Sequence, residues 1–210
     1  LDEWGYRFVR YADDLMIFTK SKRAAQRQYE RVSKFIEGKL KLKINKEKTK
    51  VSKLNQVKYL GYTFYRTKGK CRFRVHPKSI NKLKDKIRVV TGRSNGMSIE
   101  GRKIKLNQII RGWVQYFKLA DMKTIMQSID EWLRRRIRMI TWKRWKKVKT
   151  KFENLQKLGV AREKAWEWAN TRKSYWHTAN SWILSTTLTN ARFEKQGYLS
   201  VLKYYLEVRV

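Results

Sequence analysis

Residues Arg7 to Phe18, RFVRYADDLMIF, set two adjacent carboxylates, Asp13 and Asp14, between two runs of strand-forming residues. YRFVRY and LMIFTK read as short strands around a tight Ala12-Asp13-Asp14 connection, a β-hairpin. The second run holds four apolar residues in succession, Leu15 to Phe18, which predicts burial on both faces of a sheet. Burying an unpaired carboxylate costs several kcal/mol even after relaxation, and two neighbouring carboxylates repel each other. A divalent cation removes both penalties, because carboxylate and phosphate oxygens are hard ligands suited to Mg²⁺. Two such ions about 3.5–4 Å apart can activate a hydroxyl and stabilise the leaving oxygen in phosphoryl transfer. The rival reading is a polar turn with solvent-facing Asp residues. Adjacency does not separate the two, since Asp2-Glu3 and Asp130-Glu131 are also neighbouring acids.

Composition favours the first reading. The 210 residues carry 52 Lys and Arg against 17 Asp and Glu, a formal net charge of +35. With 41% hydrophobic and 13% aromatic residues the chain can bury a core, which excludes a disordered basic tail. Such a surface must face a polyanion, and nucleic acid is the leading candidate. No segment approaches the ~18 consecutive apolar residues of a membrane span, and none reads as a signal peptide. The single cysteine, Cys71, rules out a disulfide framework or a Cys-based zinc site and suits a cytosolic setting.

The elements after the hairpin divide the chain into an α+β part and an all-α part. Ser21 is placed to cap a helix with an apolar stripe at Ala25, Tyr29, Val32, Ile36 and Leu40. KTKVSKL, KYLGYTFYRT and KCRFRV read as further strands. From the only proline, Pro77, the period becomes helical: SINKLKDKIRVV, then IEGRKIKLNQIIRGWVQYFKLA with Leu106, Ile109, Ile110, Trp113, Val114 and Phe117 on one side. Asp121 is placed to cap a third helix carrying Ile125, Ile129, Leu133, Ile137 and Ile140. A fourth helical stretch ends near Gly159, and AREKAWEWAN gives a fifth. The expected domains are 1–75, 76–175 and a short aromatic tail, 176–210.

From Trp132 to Phe152, WLRRRIRMITWKRWKKVKTKF holds ten Lys and Arg and no acid. Like charges at i,i+4 each cost about 0.2–0.5 kcal/mol. A polyphosphate reverses that sign by displacing condensed counterions. Arg134, Arg135, Arg136, Arg138, Lys143, Arg144, Lys146 and Lys147 are therefore the expected nucleic-acid contacts. Trp142 and Trp145 can pack inward or stack on bases.

Four of these motifs, in order, carry a family resemblance. RYADD resembles the palm motif of reverse transcriptases, INKEKTKV the next palm block, and YLGYTF the primer-grip block. LNQIIRGWVQYF resembles the signature of the maturase-specific, or X, domain that serves as thumb in group II intron-encoded members. The set covers roughly residues 6 to 120, and the helical stretch to about 175 continues as such a thumb would. The resemblance implies a partial palm-type antiparallel sheet followed by a helical thumb. It implies an RNA-directed DNA polymerase and maturase using two Mg²⁺ ions, with Asp13 and Asp14 as catalytic metal ligands. Tyr11 would lie near the primer end or incoming nucleotide, Ala12 would keep that approach uncrowded, and Tyr59, Leu60 and Gly61 would belong to the primer grip. Arg111, in the X-domain signature, becomes a further RNA contact.

The implied partners are group II intron RNA, a template–primer duplex of RNA and DNA, and target DNA, in a bacterial cytoplasm near the nucleoid. The tail would touch target DNA or pack on the thumb. A homodimer stays open, with nothing in the sequence to support it. The family also needs a third, upstream aspartate and template-binding fingers, which these residues do not supply. The chain, starting at Leu1, therefore reads as the C-terminal portion of something longer, catalytically incomplete alone. Two other readings stand beside this one: an RNA-binding splicing maturase without polymerase activity, and a reverse transcriptase of the retron or diversity-generating class. RGWVQYF argues against the last.

Overall fold

The computed structural model describes residues 1–209. The chain forms two units, Leu1–His76 and Pro77–Val210, with His76–Pro77 as the covalent junction.

In the first unit β1 (Arg7–Tyr11) pairs antiparallel with β2 (Asp14–Phe18). Tyr11 lies opposite Asp14, so the loop is two residues, Ala12 and Asp13. The expected two-sided burial of β2 is not found: Leu15 and Phe18 are exposed, while Met16 and Ile17 are half-buried. The sheet has two strands, and a two-stranded ribbon does not bury both of its faces. After β2, the Ser21 hydroxyl accepts a hydrogen bond from the Ala24 amide and starts α1 (Lys22–Gly38), which buries Val32.

KTKVSKL forms no strand. Immediately before it the Asn45 side chain accepts from the Glu47 and Lys48 amides, closing a local turn that satisfies backbone donors a ladder would have used. The rest runs without a ladder partner into a single 3₁₀ turn at Leu54–Gln56.

β3 (Tyr62–Thr67) and β4 (Lys70–Val75) form the second two-stranded sheet. Their loop, Lys68-Gly69, has positive φ at both positions (46° and 75°), the hairpin pattern that matches strand twist. The sheet element is thus two small antiparallel ribbons.

Helices make up the second unit. Pro77 opens α2 (Pro77–Val90), where a missing amide is harmless. Ser98 caps α3 (Ile99–Tyr116) by accepting from the Gly101 amide. The central helix is α4 (Lys123–Arg144), with Met126, Ile129, Leu133, Ile137 and Ile140 buried along its length. Met122, not Asp121, occupies its N-cap. The Asp121 carboxylate instead meets the Arg209 guanidinium at 2.5 Å.

The chain continues through α5 (Val148–Lys157), α6 (Arg162–Ala169), α7 (Tyr175–Thr178), α8 (Trp182–Thr187), α9 (Asn190–Lys195) and α10 (Val201–Val208). The last stretch packs on α3 and α4. The buried Tyr205 hydroxyl donates to the Ala120 carbonyl at 2.8 Å, and Asp130 of α4 accepts from the Ser200 hydroxyl and the Val201 amide at the start of α10. No helix among the described residues is long and apolar enough to cross a membrane.

Candidate nucleic-acid interface and carboxylate hairpin

The hairpin presents its chemistry to solvent. Tyr11, Ala12, Asp13 and Asp14 are all exposed, Tyr11 at 63%. Ala12 takes φ 52°, a left-handed conformation that non-glycine residues rarely adopt. Arg10 steadies it, donating from Nε to the Ala12 carbonyl at 3.0 Å. The two-residue loop leaves Asp13 at the tip and Asp14 as the first ladder residue, so both carboxylates sit at one end of the two-stranded ribbon. Their oxygens suit a hard divalent cation. The described residues bring no third potential ligand to them, as no cluster of three or more His, Cys, Asp or Glu could hold a metal.

The YLGY segment is a turn, not the start of a long strand. Tyr59 and Tyr62 exchange both backbone hydrogen bonds, at 3.0 and 2.9 Å, around Leu60 (φ 50°) and Gly61 (φ 82°). The Gly61 carbonyl then accepts from the His76 amide at 2.9 Å. Tyr59, Leu60 and Gly61 are half-buried.

The basic run on α4 departs from the expectation of a uniform phosphate-binding face. Arg134 is buried, its side chain only 2% exposed. Its guanidinium lies 3.8 Å from Asp130 and 3.6 Å from Glu194, ion pairs too long to be hydrogen bonds. It is a core cation and presents nothing to a polyanion.

Its neighbours are half-buried and bond to the ends of other helices. Arg135 donates to the Trp176 carbonyl in α7 at 3.0 Å and stacks on that indole, 3.8 Å from the ring centroid. Arg136 bonds Thr91 just past α2, through both its hydroxyl and its carbonyl. Arg138 donates to the Leu188 carbonyl after α8 at 2.9 Å, and Lys143 to the Arg93 carbonyl at 2.7 Å. Arg102, buried on α3, donates to the Val90 carbonyl that closes α2. Helix C-termini carry partial negative charge and orphan carbonyls, so the arginines complete caps contributed by other parts of the chain, while Lys143 ties down the loop after α2.

Burial, with Arg88 and Arg93 reinforcing it, holds Arg136 below the usual guanidinium value. Burial and then Arg134 do the same for Arg138.

The exposed members of the expected set are Arg111 on α3, Arg144 at the end of α4, and Lys146 and Lys147 in the α4–α5 connection. Trp142 is buried while Trp145 is half-buried, edge-on to it at 5.8 Å between centroids. The sequence reading missed Arg88, Arg93, Trp132 and Trp176, which together line an open cavity. Arg88 and Arg136 flank the Trp132 ring at 5.6 and 5.2 Å from its centroid. The i,i+4 spacing of Trp132 and Arg136 was a visible signal, but the α2 and α7 partners are remote in sequence.

Comparison with known families gives two matches in chain order. Residues 1–64 match the reverse transcriptase (RNA-dependent DNA polymerase) family, and residues 80–159 match the group II intron maturase-specific domain. No curated protein matched the chain.

Proposed function

We propose that this chain, which belongs to the group II intron-encoded reverse transcriptase/maturase family, supplies the palm hairpin and RNA-binding thumb of an enzyme that copies RNA into DNA and assists splicing of its intron. The observation that carries this reading is the order of the two family matches: a reverse transcriptase segment, residues 1–64, is followed by a maturase-specific one, residues 80–159.

In this reading Asp13 and Asp14 hold divalent metal at the end of the β1–β2 ribbon, completed by a carboxylate from outside these residues. Mg²⁺, when bound, would supply Lewis-acid activation of a primer hydroxyl and stabilisation of the leaving oxygen. The protein's own contribution is positioning. The ribbon fixes the carboxylates, Ala12 keeps the approach uncrowded, and Tyr11 offers an exposed ring beside the primer end. Tyr59, Leu60 and Gly61 hold the primer strand through a turn whose glycine allows close backbone approach. Arg111, Arg144, Lys146 and Lys147 meet phosphates of intron RNA or of the template–primer duplex. Arg135, Arg136, Arg138 and Lys143 tie neighbouring helices and loops to α4.

In the full-length protein, Asp13→Ala abolishes primer extension while RNA affinity and splicing stay near wild type. Replacing Arg144, Lys146 and Lys147 together by Glu weakens RNA binding. It also lowers the slope of log K against log salt by roughly 0.7–0.9 for each phosphate no longer neutralised. Equal loss of extension, binding and splicing from Asp13→Ala would overturn the separation of the two functions. A full-length protein that splices but never extends a primer favours the maturase-only alternative.

A further inference from the structure

Two hollows on the second unit share one residue, Arg93. The larger, about 620 Å³, is lined by Trp132 and Trp176 together with Arg88, Arg93 and Arg136. The smaller, about 390 Å³, is lined by Arg93, Lys143, Arg144 and the residues that start α3, Ser98 and Ile99. One is aromatic and cationic; the other is cationic and faces the positive end of an 18-residue helix. Both fall in the size range of small-molecule sites.

We propose that the pair forms one receptor for an unpaired nucleotide of a nucleic-acid strand, with the base in the Trp132–Trp176 hollow and the adjoining phosphate in the Arg93–Lys143–Arg144 hollow. The proposal rests on the nucleic-acid reading above and names the feature of the strand that is read.

Three observations carry it. The Trp132 ring already has cations against it: Arg136 at 5.2 Å, Arg88 at 5.6 Å and Lys84 at 5.9 Å from the centroid. Indole faces that attract guanidinium also stack on bases. Of these cations, Arg88 is paired with a carboxylate, Asp85 at 2.5 Å, so the cluster keeps a net positive charge. Arg93 and Arg144 use their guanidinium groups in no hydrogen bond or ion pair among the described residues and are exposed, free to take a phosphate. A base arriving on Trp132 displaces Arg88 or Lys84 from the ring, and the displaced cation meets the flanking phosphate.

The hollow is open and offers indole surface to stack on, and bases inside an A-form duplex show no free face to it. The ligand is therefore a base splayed out of a loop, bulge or end. Paired duplex contacts the exposed lysines around it without entering.

The test uses the whole chain and RNA hairpins carrying the fluorescent base 2-aminopurine either in the loop or in the stem. Wild type quenches the loop probe by stacking and leaves the stem probe unchanged. Trp132→Leu loses the quench and about tenfold in affinity for the loop RNA, while the salt slope stays as in wild type. Trp132→Phe keeps most of the quench, which separates lost stacking from lost folding. Trp166→Leu, at an exposed tryptophan away from both hollows, changes nothing. Arg93→Ala with Arg144→Ala lowers the salt slope by roughly 0.7 for each phosphate released on single strands.

Quenching of the same probe in single-stranded DNA assigns the site to unpaired strands of either kind, and quenching in RNA alone adds a 2′-hydroxyl contact. Either result supports the receptor. Loop binding and quenching unaffected by Trp132→Leu, or a stem probe quenched as strongly as the loop probe, overturn it while leaving nucleic-acid binding intact. Failure of the wild-type chain to bind RNA or DNA at all overturns both readings.

Discussion

Ala12 and Arg134 show how single residues carry conformational or electrostatic cost in this chain. Ala12 sits at φ 52° between the first strand and the carboxylate pair, where a β-carbon costs roughly 1–2 kcal/mol. Glycine relieves that cost but adds unfolded-state entropy, which offsets part of it. Ala12→Gly should therefore leave hairpin stability unchanged or raise it by up to about 1 kcal/mol. Ala12→Val should lower it by more than about 1 kcal/mol, since β-branched residues resist positive φ. Urea unfolding followed by far-ultraviolet circular dichroism checks both. Arg134 holds its charge inside the core, with Asp130 and Glu194 as counterions and Phe193 about 6.0 Å from its guanidinium. Removing it by Arg134→Ala strands part of that negative charge and opens a cavity, a destabilisation of roughly 3–5 kcal/mol. RNA affinity measured below the melting point, and its salt slope, should not change, which separates this arginine from the exposed cations of the same run.

Elements differ in how far the sequence reveals them, and the difference follows interaction range. The β1–β2 hairpin, the Ser21 cap of α1 and the apolar stripe of α4 depend on neighbours a few residues away and are readable. The KTKVSKL strand is not, because a strand exists only when a partner supplies its ladder. The Arg134–Arg138 run misleads for a geometric reason. At 3.6 residues per turn four cations within five positions point over more than half the helix circumference, so some must face inward. Arg134 and Arg138, four apart, share a face beside the Leu133–Ile137 stripe. No local pattern shows that the carbonyl ends of other helices wait for such side chains. At the candidate site the same limit holds. The carboxylate pair and the basic character are legible; the exposure of Asp13 and Asp14, which the apolar flanking runs argue against, and the meeting of Trp132, Trp176, Arg88 and Arg93 require the fold.

Tyr198, between α9 and α10, gives a pH-dependent expectation at this scale. Burial raises its phenol above the ordinary value, with Arg102 opposing and Glu100 adding to the rise. A folded-state value above the unfolded one means the neutral phenol's contribution is complete below about pH 10. It is lost as pH climbs through the folded value, because the unfolded chain gives up the proton first. Tyr198→Phe should flatten the fall in melting temperature above about pH 10 and leave the curve below about pH 9 parallel to wild type.

Over the whole molecule, a net charge of +35 opposes compaction, and the two units meet that repulsion with very different cores. In the first, Val32 and Val75 are the buried apolar residues, and the hairpin, α1 and the β3–β4 ribbon keep much apolar surface half-exposed. In the second, α2, α3, α4 and α10 enclose a continuous set including Leu83, Ile87, Leu106, Ile110, Met126, Ile129, Leu133 and Tyr205, all nearly inaccessible. Deep burial sets the free energy of local opening, so the units should open separately. Amide hydrogen exchange on the intact chain should show β1, β2 and α1 exchanging orders of magnitude faster than the middle turns of α3 and α4. Salt should slow exchange in both units by screening like charges, and an RNA ligand should slow it further where phosphates dock. Binding adds RT ln(1 + [L]/Kd) to the stability of the unit that binds, about 2.7 kcal/mol at a hundredfold excess over Kd. If protection from RNA concentrates at Arg93, Trp132 and the start of α3, the second unit is the docking surface. Uniform exchange across both units would show instead that they unfold as one.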